Sequence, residues 1–199
     1  MLRTPSPGTY ETLLEPVSVP VAKMWRLSKF ASTEPYWSKR MAYRFDDPDA
    51  RVSSRFGVLY VAQDLETAFC ESIIHENALF KNGAFEVPLA DLDSRELTCF
   101  KHSAKTELVL ADLTGAALKS LGLNNDISAG DDYDIPQQWA RAIYVARVDM
   151  DGIRFMSRQN NGSYCYAVFE RSGLIVDSWA PLPTSSKSAL CKKYNVSPV

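Results

Sequence analysis

The segment Gly57-Val58-Leu59-Tyr60-Val61-Ala62-Gln63-Asp64-Leu65-Glu66 constrains this chain more than any other. A short unbroken run rich in β-branched and aromatic residues reads as a central strand, covered on both faces. Asp64 follows it closely and can accept hydrogen bonds from the free amides of a helix opening at Leu65, where Glu66 also suits the positive end of the helix dipole. Leu65, Ala68, Phe69, Ser72 and Ile73 recur at the spacing of one helical face, which predicts a helix of about three turns. Glu71 lies off that stripe, one turn before His75.

The rest of the chain is organised around this unit. Residues 1–20 carry Pro5, Pro7, Pro16 and Pro20 and read as an irregular arm, because proline lacks the amide that regular structure needs. The domain is expected to run over residues 21–180. Strands are predicted over residues 23–27, 85–90, 97–100, 153–157, 164–169 and 174–179, with turn residues such as Asp151-Gly152 and Asn160-Asn161-Gly162 between them. Residues 114–121 read as a short helix closed by Gly122. Residues 124–134, rich in Asn, Gly and Asp, read as a loop. A second amphipathic helix opens near Pro136 with Trp139, Ala142, Ile143 and Ala146 on one face. The tail after Pro181 is polar and weakly patterned. Strands grouped at both ends with helices between them, without regular alternation, predict an α+β fold with mixed or antiparallel sheets. A length of 199 residues fits one core and one domain.

Composition excludes more than it proposes. Lysine plus arginine total 22 against 24 acidic residues, so the net charge of −2 gives no general attraction to nucleic acid or membrane surfaces. Residues 1–60 are locally basic and suit a small anion. Cys70, Cys99, Cys165 and Cys191 are widely spaced and, with only His75 and His102 present, form no metal-binding pattern; reduced, buried thiols are expected. Phosphate-binding loops, the dinucleotide-binding glycine fingerprint and Gly-x-Ser-x-Gly are all missing. No segment has the length or apolarity of a membrane span or secretory leader, so the cytoplasm is the expected location.

Trp25-Arg26, Arg44-Phe45, Leu59-Tyr60-Val61-Ala62, Thr67-Ala68-Phe69-Cys70-Glu71 and Ser157-Arg158 occur in an order that resembles the RES family, over roughly residues 21–180. The resemblance implies a fold similar to ADP-ribosyltransferase toxins and cleavage of nicotinamide adenine dinucleotide (NAD), with NAD as substrate and no further cofactor or metal. It carries over Glu71, Arg44, Tyr60 and Ser157 as catalytic residues, and Arg26, Arg55 and Arg158 as residues binding the dinucleotide. Arg55-Phe56 fits the second-arginine pattern as well as Arg44-Phe45, and the choice stays open. The residue types suit the chemistry: a carboxylate stabilises an oxocarbenium-like ribose, and arginine forks grip a pyrophosphate. A tyrosine ring stacks on nicotinamide, and a serine orients a ribose or amide.

Several alternatives accompany that reading. Protein ADP-ribosylation and a non-catalytic NAD-binding module are the competing functions. The resemblance further implies an antitoxin with a helix-turn-helix domain that blocks the site; self-association is left open. Residues 124–130 suit a lid or an inhibitor contact. Read without the family, Glu71 would pair with His75, Arg44 with Asp46 or Asp47, and Tyr60 would be a core residue.

Overall fold

The computed structural model describes residues 2–199. In chain order the strands are β1 (Pro16–Pro20), β2 (Trp25–Ser28), β3 (Val58–Ala62), β4 (Leu79–Lys81), β5 (Ala84–Val87), β6 (Glu96–Lys101), β7 (Glu107–Asp112), β8 (Gly152–Met156), β9 (Tyr164–Phe169), β10 (Ile175–Pro181) and β11 (Val196–Pro198). The helices are α1 (Leu65–Phe69), α2 (His75–Asn77), α3 (Leu89–Asp93), α4 (Gly115–Ser120), α5 (Asp126–Ala129), α6 (Asp134–Ala146) and α7 (Thr184–Lys193). One sheet has eight strands in the order β1-β7-β8-β9-β3-β2-β6-β10, and a small sheet has the order β11-β5-β4. Pairing is antiparallel except for β7 with β8 and β11 with β5. The fold is a mixed α+β domain, as the strand and helix pattern leads one to expect.

Alternate residues of the central strands feed two cores. On β3, Val58 and Ala62 join a cluster that also holds Phe69 and Ile73 of the helical segment and Trp139, Ala140 and Ile143 of α6, and Tyr60 packs against it. Leu59 and Val61 point the other way, into a cluster with Val19, Leu108, Leu110, Val168 and Phe100. That second cluster joins residues near opposite ends of the strand order, so the twisted sheet rolls over one of its own faces. Gly152 permits the close packing of β8 on β9, since a Cβ there would lie 2.4 Å from the Ala167 carbonyl oxygen.

Four expectations need correction. The arm is irregular only as far as Glu15: Pro16–Pro20 is an edge strand in register with β7, and its prolines sit at the strand ends, where the missing amide costs little. Tyr10 and Leu14 of the arm are buried, and Trp139 Nε1 donates to the Arg3 carbonyl at 2.8 Å. The strand expected over residues 85–90 stops at Val87 and turns into α3 behind Pro88. Residues 124–134 contain α5. The tail holds α7, whose Leu190 and Cys191 are buried, and β11, which extends the small sheet.

Candidate active site

The Asp64-capped helix begins as expected, with Asp64 Oδ1 accepting the Thr67 amide at 2.7 Å. It then widens: Cys70–Ile74 is a π turn in which the His75 amide bonds the Cys70 carbonyl. Ser72 Oγ bonds the Ala68 carbonyl at 2.6 Å, a side-chain competitor of the kind that loosens a helical ladder. Such turns are frequent at functional sites, and this one carries Glu71.

Glu71 does not rest against its own helix. Its Oε1 accepts Ser157 Oγ–H at 2.5 Å and the Gln159 amide at 3.3 Å. The Ser157 hydroxyl in turn accepts the amides of Gln159 and Asn160 at 3.2 and 2.9 Å. The turn after β8 is therefore wound around one hydroxyl, and Asn160 Nδ2 ties it back to Thr67 Oγ1 at 3.2 Å. Glu71 Oε2 accepts no N–H or O–H among the described residues, and the Cys165 thiol lies beside the carboxylate, which leaves one carboxylate oxygen for a ligand.

Tyr60, on β3, reaches toward the 38–56 segment. Its hydroxyl donates to Asp46 Oδ1 at 3.1 Å and accepts the Phe45 amide at 2.9 Å, and its ring tilts against Tyr43 at a centroid distance of 5.5 Å. Burial, with Asp46 adding to it, holds the phenol well above its ordinary pKa, so it stays a neutral donor. Asp46 is fully buried and accepts four hydrogen bonds, from Ser38 Oγ, the Ala42 and Tyr43 amides and Tyr60. Burial raises its pKa and those bonds oppose the rise.

Asp46 thereby folds the loop that presents Arg44. That guanidinium donates to the Gly130 carbonyl at 2.8 Å and lies over the Tyr133 ring at 4.6 Å. Its Nε and Nη2 have no partner among the described residues. Burial lowers its pKa from the ordinary arginine value, and Arg158 adds to that while Tyr133, Tyr60 and Glu71 oppose it. Guanidinium keeps its charge at neutral pH even so. Arg44, Tyr60, Glu71 and the adjacent Ser157 and Arg158 thus converge from four places along the chain.

The other two arginines are placed differently. Arg55 gives its Nε to the Asp49 carbonyl at 2.6 Å and its Nη1 to the Lys39 carbonyl at 2.8 Å, clamping the 39–49 loop from behind. Between the two candidates, only Arg44 stands with Tyr60 and Glu71. Arg26 fills the gap where β2 and β3 separate after their single pairing at Trp25 and Ala62. It donates to Glu34 Oε1 at 2.6 Å and to the Tyr60 carbonyl at 2.7 Å, so it buttresses the strand under Tyr60. Arg158 binds Asp131 Oδ1 at 2.8 Å, at the exposed rim.

Arg44 pairs with neither Asp46 nor Asp47. Asp47 is held instead by Arg141 of α6, at 2.7 and 2.9 Å. Sequence patterns do not single out Asp46, Tyr133, Gln159 or Arg141. Among them only Asp46 carries a signal, since with Asp47 behind Arg44-Phe45 it reads as part of a turn or as a partner for Arg44.

A family model of the RES domain matches residues 23–181. The chain belongs to the RES family. A protein described as probable toxin y4kH, from Sinorhizobium fredii (strain NBRC 101917 / NGR234), is 30% identical over 111 residues, which is 55% of this chain and 85% of that protein. Among solved structures, a chain of the M. tuberculosis MbcT–MbcA toxin–antitoxin complex matches with a TM-score of 0.61 and 17% identity, covering 87% of this RES protein and 91% of that chain. At that identity the structural match speaks for the fold. Among the described residues no helix is long and apolar enough to cross a membrane.

Proposed function

We propose that this RES protein is a toxin that cleaves NAD at the nicotinamide–ribose bond. The observation that carries the proposal is the half-committed carboxylate: Glu71 Oε1 is pinned by Ser157 and the Gln159 amide, while Oε2 is unclaimed. As the C1′–N bond breaks, its electron pair neutralises the pyridinium and nicotinamide leaves. Positive charge then builds on the ribose, where Glu71 Oε2 stabilises it. A fixed carboxylate does this better than a mobile one, because it pays no reorganisation cost at the moment of reaction. The free Nε and Nη2 of Arg44 are donors for the pyrophosphate. Tyr60 and Tyr43 offer ring surface for the nicotinamide.

An oxygen nucleophile then bonds to C1′ and releases its proton; water and inorganic phosphate both meet that need. Protein ADP-ribosylation uses the same first step. An antitoxin that covers this site is the expected partner, in keeping with the names of the similar proteins. The test is chromatography of free nicotinamide after incubation with NAD, with and without phosphate, beside Glu71→Gln. Release by the wild-type protein and not by the variant supports the assignment, and equal release by both overturns it. Adenine-labelled NAD, followed to small molecules or to protein, separates hydrolysis or phosphorolysis from ADP-ribosylation.

A further inference from the structure

A second cleft, of about 410 Å³, lies on the other face of the large sheet. Along β8, Ile153 and Phe155 belong to the core beside Tyr60, whereas Arg154 alternates away from it. Along β9, Cys165, Ala167 and Phe169 share the Tyr60 face, and Tyr164 and Tyr166 face the opposite core. Arg154, Tyr164 and Tyr166 line the cleft together with Lys23, Gln63 and Asp64. Its size is within the ordinary range for small-molecule sites.

The Tyr166 ring is buried, with 4% of the residue exposed, and its hydroxyl, which bonds nothing among the described residues, keeps access to solvent. A hydroxyl open to solvent and not engaged by the protein is available to a ligand. Burial pushes its pKa up to about 12, so it is a donor at neutral pH. Lys23, at the rim, has no ion pair among the described residues. Arg154 is already bound to Asp112 through two contacts of 3.1 and 2.5 Å, and its guanidinium lies over one face of the Tyr164 ring at 4.6 Å. At the other end, Asp64 Oδ1 caps α1 and Gln63 Oε1 accepts the Tyr164 amide at 3.3 Å, which leaves acceptor capacity at Asp64 Oδ2.

We propose that this cleft is a second ligand site, separate from the Glu71 site, that takes a mononucleotide. Lys23 and Tyr166 meet its phosphate, Tyr164 meets its base, and Asp64 accepts from its ribose hydroxyls. The donor-rich end suits an anion, while Asp64 disfavours a ligand that is anionic throughout. The polarised Tyr164 ring, with a cation on one face, favours a flat partner on its accessible surface. None of this depends on the cleavage reaction.

The experiment is calorimetric titration of the full chain with adenosine 5′-monophosphate and, separately, with inorganic phosphate. Tyr166→Phe removes a hydroxyl that bonds nothing in the protein, so it keeps the fold; it should weaken nucleotide binding about 2- to 12-fold, the span of one hydrogen bond. Lys23→Glu should weaken it more, and Arg44→Ala should leave it unchanged. Absence of binding at millimolar nucleotide, or equal affinity in the wild type, Tyr166→Phe and Lys23→Glu, overturns the proposal. Loss of binding in Arg44→Ala would put the nucleotide in the other site and overturns it too. Phosphate binding as tightly as the nucleotide would remove the base and ribose from the recognition, and with them the proposed ligand class.

Discussion

Removing the Ser157 hydroxyl tests the site at its hinge. Ser157→Ala deletes a hydrogen bond of 2.5 Å to the Glu71 carboxylate and the acceptor of the Gln159 and Asn160 amides. A hydrogen bond to a charged group contributes about 1.5–3 kcal/mol. The turn is partly exposed, so water can take over the two amides, and the net loss of stability should be at the lower end, about 1–2 kcal/mol. Glu71 keeps the 3.3 Å contact to Gln159 and the neighbouring Cys165 thiol, both weaker than the lost bond, and is freer to swing. A misplaced catalytic group costs on the order of 10²-fold in rate. The assay is initial-rate nicotinamide release over a range of NAD concentrations: kcat should fall by about that factor while KM changes little, because the lost contact fixes a group that acts in the transition state. The decisive arm is the double variant. In a Glu71→Gln background, Ser157→Ala should cost almost nothing further, since the pair acts as a unit. Two losses that simply multiply would mean that Ser157 serves the substrate directly, and the positioning argument would fail.

Arg44→Ala should raise the KM for NAD at least tenfold, whereas Arg55→Ala should leave it near wild type and lower the melting temperature instead; the reverse pattern would exchange their roles. Arg26→Ala, which strips support from the Tyr60 carbonyl, should lower kcat more than Arg26→Lys does, read in the same nicotinamide assay. Trp139→Ala should destabilise the chain by about 3–5 kcal/mol in urea unfolding, because the ring is fully buried and anchors the N-terminal arm. Glu66 is held below its ordinary pKa of 4.5 chiefly by Lys193, with Tyr194 assisting. A depressed carboxylate stabilises the fold above its unfolded pKa, and that contribution disappears as pH falls through the folded value. Glu66→Gln should therefore flatten the drop in melting temperature on the acid side of pH 4.5 and leave its slope near neutrality unchanged.

The parts of the fold that were legible beforehand are those whose local chemistry and tertiary role agree. Val58–Ala62 is apolar on both faces and is central; Tyr164–Phe169 is likewise, and both lie where the pattern puts them. Pro16–Pro20 misleads because its prolines argue against a strand, yet an edge position asks for few of its amides. The α7 segment is polar nearly throughout and gains its helix from docking Leu190 and Cys191, not from an apolar stripe. At the site, residue identities and chain order pointed to the cluster, but its internal wiring was hidden. That Arg44 is selected over Arg55 depends on Asp46 being buried under Tyr60, a contact between residues of different elements. That Glu71 faces Ser157 depends on a π turn, which adds one residue to a helical period and cannot be read from a 3.6-residue pattern.

The pairing of β3 with β9 has a consequence for how such a chain is made. Tyr60 lies opposite Ala167, and Glu71 waits for Ser157, so the amino-terminal half holds a carboxylate and an arginine whose fixings are translated much later. A chain still emerging from the ribosome carries these side chains without their geometry. On the function proposed above, this late closure is a built-in delay: the site assembles only when the last central strands have left the exit tunnel, and a fragment that ends before β9 lacks the strand that pairs with β3.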